Sequence, residues 1–136
     1  MSKAQPADRK VIVVAEDEPL VRLVACDILS SAGYQVVEGA DADAAMVLLE
    51  TRPDAAVLFT DVNMPGPFNG FALAHLAHGR WPELGIVVTT GGIDLPRLGS
   101  LPQGAGFLPK PYSPSRLLQM IAEAAGEFRL PVAPAT

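Results

Sequence analysis

The chain has 136 residues, 49% of them apolar, with a formal net charge of −5 and one cysteine. That length supports one domain with a real core and excludes disorder as a global description. The acidic balance argues against direct nucleic-acid binding, the lone Cys26 against an internal disulfide, and the absence of any long apolar stretch against membrane insertion.

Residues 1–9 are polar, lack the apolar core of a signal peptide and read as a flexible leader, so a cytoplasmic protein is expected. Residues 10–128 read as one folded domain and 129–136 as a flexible tail. Val11 to Ala15 is a continuous β-branched run, suited to a strand covered on both faces. A helix starts at Pro19, where a missing N–H costs nothing, with Val21, Val24, Ile28 and Ala32 at helical spacing and Gly33 as its stop. Gln35 to Glu38 is a short second strand. Asp41 caps a second helix whose Ala42, Ala45, Met46 and Leu49 share a face, and Pro53 ends it.

Ala55 to Thr60 is the third strand, running into Asp61. The segment from Pro65 to Gly70 is loop, and a third helix follows over about Phe71 to Arg80 with Leu73, Leu76 and Ala77 inward. Ile86 to Thr90 is the fourth strand and Ala105 to Leu108 a short fifth. Pro114 to Phe128 is the last helix, with Leu117, Ile121 and Ala124 inward. Between Thr90 and Lys110, glycines at the ends and Pro96 and Pro102 in the middle oppose a full helix, since proline costs a helix interior about 3 kcal/mol and glycine about 1. A weak or irregular fourth helix is expected there.

Alternating strands and helices imply an α/β doubly wound, five-stranded parallel sheet with helices on both faces. Ligands of such sheets sit beyond the carboxyl ends of the strands. Glu16 and Asp17 follow the first strand, and Asp61 ends the third. Carboxylates roughly 5 Å apart repel pairwise by about 3 kcal/mol at an effective dielectric of about 20. A hard divalent cation removes that cost, and oxygen-only donors point to Mg²⁺ or a similar ion. Lys110, just past the fifth strand, adds an ammonium, and Thr90 adds a hydroxyl. A metal and an ammonium facing one carboxylate form a site for a phosphoryl group.

The motifs Ala15-Glu16-Asp17-Glu18, Asp61-Val62-Asn63-Met64-Pro65-Gly66, Thr90-Gly91 and Lys110-Pro111-Tyr112 occur in order at strand ends. Together they resemble the receiver domain of bacterial two-component response regulators, over about Lys10 to Phe128. The resemblance implies the flavodoxin-like strand order 2-1-3-4-5. It also implies that Asp61 accepts a phosphoryl group from a histidine, with Mg²⁺ held by Glu16, Asp17, Asp61 and the backbone carbonyl of Asn63. Thr90 matches the switch hydroxyl, Lys110 its paired lysine and Phe107 the aromatic switch position. Thr89 competes for the hydroxyl role, and Thr90 is preferred because the small Gly91 follows it.

The implied function is a stand-alone, single-domain phosphoacceptor rather than an enzyme. Its partners would be a sensor histidine kinase or a histidine phosphotransferase, and a downstream protein. Two departures from the family pattern are an extra proline in the loop after Met64 and the poor helix before Lys110. An alternative is a phosphate-independent interaction scaffold. A haloacid dehalogenase-type phosphatase is weaker, because the position two residues after Asp61 is Asn63, which cannot serve as a general acid.

Overall fold

A computed structural model of the chain describes residues 9–65, 69–91 and 101–127. The leader (beyond Arg9), the tail, Phe128, part of the loop after Met64 and the weak helix expected before Lys110 lie outside the described residues. Five strands, β1 (Val11–Ala15), β2 (Gln35–Gly39), β3 (Ala55–Asp61), β4 (Gly85–Thr90) and β5 (Gly106–Pro109), alternate with helices α1 (Pro19–Ser31), α2 (Ala42–Thr51), α3 (Gly70–Arg80) and α4 (Pro114–Ala124). The strands form one parallel sheet in the order β2-β1-β3-β4-β5, as expected.

The continuous apolar runs are explained by a core on each face of the sheet. Val13, Ala15, Leu58, Ile86 and Val88 pack with Ala45 and Leu49 of α2 and Leu73 and Ala77 of α3. Their neighbours Ile12, Val14, Val57, Phe59, Val87 and Leu108 pack on the other side with Ala25 and Leu29 of α1 and Leu117 and Ile121 of α4. Side chains alternate between faces along a strand, so a strand buried on both faces carries apolar residues at consecutive positions.

Local signals set the helix ends. The side chains of Asp41, Asn69 and Ser113 each accept a backbone N–H two or three residues into the helix they precede, satisfying a donor that has no intrahelical partner. The last helix stops at Ala124, short of the expected Phe128. Gly126 takes φ +77 there, and the N–H groups of Gly126 and Glu127 return to the carbonyls of Glu123 and Ala122. A left-handed glycine closing the final carbonyls is a common way to end a helix.

Two expected helix faces need correction. On α1, Ala25, Cys26 and Leu29 are buried, whereas Ala32 and Val24 are exposed. Most α1 positions are apolar, so apolar spacing fits several faces equally well, and the true face lies one residue further along. On α3, Leu76 is 45% exposed and Ala74 is buried in its stead. The small Ala74 and Ala77 let α3 lie close to the sheet, and the larger Leu76 turns outward.

Candidate functional site

A parallel sheet brings all carboxyl ends of its strands to one edge. Glu16 and Asp17 leave β1 there, Asp61 ends β3, Thr90 ends β4 and Lys110 follows β5. The chain reverses direction of travel across the sheet between β1 and β3, so the acids flank the crevice where doubly wound folds hold ligands. Asp61 is further fixed by the start of α3. The Gly70 N–H donates to the Val62 carbonyl at 2.9 Å, and a Cβ on Gly70 would stand 1.9 Å from the Asp61 carbonyl oxygen. Only glycine permits that approach.

Oxygens of Glu16, Asp17 and Asp61 lie within 4.8 Å of one another. Glu16 and Asp61 are buried, and Asp17 is half-buried at the mouth. The Lys110 ammonium donates to Glu16 Oε1 and to Asp61 Oδ2, each at 3.2 Å. Glu16 Oε2 accepts the Glu18 N–H at 3.1 Å, and Asp61 Oδ1 accepts the Asn63 N–H at 3.3 Å. The Asn63 side-chain amide donates to Thr90 Oγ1 at 3.3 Å, linking the ends of β3 and β4.

Electrostatics at this edge are unbalanced. Burial pushes the Glu16 carboxyl above its ordinary value, the Glu18 N–H opposes that shift, and Asp61 adds to it. Burial of Lys110 works to lower its value, but Asp61 and Glu16 outweigh it and the net shift is upward. The ammonium therefore stays charged at neutral pH. With the three acids ionised, Lys110 leaves a net charge of −2, with pairwise repulsion of about 3 kcal/mol at an effective dielectric of about 20. The donors are all oxygens, and the half-buried Asp17 gives access from solvent. Charge and donor type both suit a hard divalent cation.

Six of the seven residues expected at the site thus meet at the sheet edge: Glu16, Asp17, Asp61, Asn63, Thr90 and Lys110. Phe107 does not join the cluster. It lies half-buried in edge strand β5 opposite Val88, among neither group of buried core residues. The choice between adjacent threonines is sharpened by their partners. Thr90 is tied to Asn63, whereas the buried Thr89 hydroxyl has no hydrogen-bond partner among the described residues.

Arg22 escaped sequence reasoning. Its guanidinium donates to the Glu16 carbonyl at 2.7 Å and to Glu38 Oε1 at 2.8 Å. A partner that is a backbone oxygen leaves no residue-type signal. An arginine one turn into the helix that follows an acid pair is the only hint the sequence offers.

A doubly wound sheet with paired acids, a third acid and a lysine at its carboxyl edge is suited to phosphoryl chemistry on an aspartate. Residues 12–122 match the response regulator receiver domain, and the chain belongs to that family. It is 32% identical over 117 residues to the response regulator protein FleR of Pseudomonas aeruginosa, covering 84% of this chain and 24% of that protein. It is 30% identical over 115 residues to the sensor kinase CckA of Brucella abortus, covering 82% of this chain and 12% of that one. A response regulator receiver protein from Sinorhizobium medicae superposes with a TM-score of 0.82 at 22% identity, covering 88% of this chain and 97% of that one, a likeness of fold. The chain spans only a minor part of both curated relatives. Family membership and the acid cluster are consistent with phosphorelay signalling by a phosphoacceptor rather than a catalytic enzyme.

Proposed function

We propose that Asp61 accepts a phosphoryl group from a histidine of a partner kinase or phosphotransferase, with Mg²⁺ held by Glu16, Asp17, Asp61 and the Asn63 carbonyl. The observation that carries this reading is the convergence of three acids within 4.8 Å, with Lys110 bonded to two of them. In the transfer, an Asp61 carboxylate oxygen forms the new bond to phosphorus as the bond from phosphorus to the imidazole nitrogen breaks. That nitrogen keeps the electron pair and takes up a proton. Bound Mg²⁺ would neutralise charge on the phosphoryl oxygens. Lys110 already touches Asp61 and is placed to share that task. Thr90, whose hydroxyl oxygen accepts from Asn63, would donate its hydroxyl hydrogen to a phosphoryl oxygen, and Phe107 would respond by burial alone, having no hydroxyl.

A histidine donor must approach from the carboxyl edge, so its protein has to rest on the rim. Leu20 is 74% exposed, Leu23 62% and Val24 55%, all on the first turns of α1. Beside them a groove of about 550 Å³ runs past Gly91, Lys110, Pro111 and Tyr112. An apolar surface next to the reacting carboxylate supports recognition by a protein partner. The likeness to the sensor kinase CckA supports a kinase as that partner. No described helix is long and apolar enough to cross a membrane.

The test is intact-mass spectrometry after incubation with acetyl phosphate and Mg²⁺. The wild type should gain a single phosphoryl group, and Asp61→Asn or omission of Mg²⁺ should abolish the gain. An unmodified wild type would leave the interaction-scaffold alternative, and rapid turnover of small phosphoesters would favour a phosphatase.

A further inference from the structure

We propose that Arg22 is a positioning residue for the cation-binding acids, locking the Glu16–Glu18 turn through the Glu16 carbonyl. The inference rests on the cation reading given above. The turn is held at four points. The Glu16 N–H donates to the Gly39 carbonyl at 3.1 Å, and the Arg22 N–H donates to the Glu18 carbonyl at 2.8 Å. The Glu18 N–H donates to Glu16 Oε2, and the Arg22 guanidinium donates to the Glu16 carbonyl at 2.7 Å. The guanidinium bond is the shortest of the four, and a substitution at Arg22 removes it without altering a proposed cation ligand.

Arg22 is itself braced. Its Nε meets Glu38 of β2 at 2.8 Å, so the guanidinium spans from α1 to the end of β2 across the turn. Glu38 is half exposed, and an exposed ion pair is worth little. Its contribution is therefore direction, aiming the other guanidinium nitrogen at the Glu16 carbonyl. The planar fork of arginine fixes the direction between its two bonds, which the rotatable ammonium of lysine does not reproduce. Groups that orient metal ligands commonly change metal affinity by 10–100-fold when removed.

Charge and positioning predict opposite signs. The guanidinium is a cation beside the acids, so if charge were its only effect, removing it would tighten dication binding. If it positions the turn, removing it loosens the ligand set and weakens binding. Calorimetric titration with Mg²⁺ decides between them, using wild type, Arg22→Ala and Arg22→Lys. We expect Arg22→Ala to bind roughly tenfold more weakly. Arg22→Lys, which keeps the charge, should recover less than half of that loss. In the cation-free protein, amide hydrogen exchange at Glu18 should be at least tenfold faster in both variants, while exchange in β4 stays unchanged.

Unchanged or tighter Mg²⁺ binding in Arg22→Ala overturns the proposal, as does full recovery by Arg22→Lys. Should Arg22→Ala fail to fold, Arg22→Lys and Arg22→Gln carry the same comparison. A wild type that takes up no Mg²⁺ overturns the cation reading instead. The exchange measurement then judges the clamp alone, and unaltered exchange at Glu18 overturns it.

Discussion

Lys110 Nζ and Asp61 Oδ2 meet at 3.2 Å, although they leave strands that are not neighbours: β4 lies between β3 and β5. The lysine reaches over an intervening strand end to the acid, and its second bond, to Glu16, crosses β3 as well. One ammonium therefore ties together the ends of three strands.

Replacing Lys110 by Met leaves Glu16 and Asp61 buried without their cation. A hydrogen bond to a charged group contributes about 1.5–3 kcal/mol, and partial exposure of Lys110 puts the expected loss near the lower end, about 2 kcal/mol. Urea unfolding without divalent ions measures it. Removing a competing positive charge should also strengthen Mg²⁺ binding. Saturating Mg²⁺, at about 100 times its Kd, would restore about 2.7 kcal/mol. Equal stability of wild type and variant without Mg²⁺ would refute the pairing. The Lys110 value is raised, so its stabilisation is present below the ordinary 10.5 and is lost only as pH rises through the higher folded value.

Gly70 and Gly79 lie in the same helix and should respond in opposite directions to alanine. At Gly70 the new methyl would strike the Asp61 backbone, and overpacking of this kind costs about 1–3 kcal/mol. Because the obstruction is the Asp61 carbonyl itself, phosphoryl uptake from acetyl phosphate should fall along with stability. At Gly79 nothing lies within 4 Å, so alanine should stabilise by up to about 1 kcal/mol. Paired urea melts check both signs, and a neutral Gly70→Ala would show that the α3 start does not brace the acid.

Cys26 gives a pH prediction. The thiol is buried on α1, and burial first, then the nearby Glu38, pushes it up to about 11 from an ordinary 9.0. Only the thiolate reacts, so at pH 8 the folded protein should react with Ellman's reagent roughly a hundredfold more slowly than the urea-unfolded chain. Ionisation is harder in the folded state. This group's contribution to stability is therefore full below about 9 and declines as pH rises toward about 11. Fast labelling at pH 8 in the native state would contradict the burial.

The parallel sheet and its acids were legible because the first and third strands are apolar runs that stop at carboxylates, while the strand order and the place of Asn63 came from the family resemblance. Asp61 is the clearest case: the run Ala55 to Thr60 ends in it, and only one edge of a parallel sheet is available to receive it. Helix faces were less legible. Val24 and Leu76 looked inward by spacing, yet α1 is apolar nearly all round, and α3 buries alanines that carry little hydrophobic signal. Arg22 left only a faint trace for a different reason. It acts on a carbonyl, and its side-chain partner Glu38 lies 16 residues away.

Gly85 begins β4 at the far end of the sheet from the acids, and a Cβ there would sit 2.2 Å from the Ala124 carbonyl oxygen. The tail of the final helix is thus wedged against backbone, while its head, at Pro114, hangs just beyond the Lys110 segment. Strand start and helix end leave no room between them, so any side chain at position 85 would prise the last turn of the helix off the sheet, at the end remote from the acids.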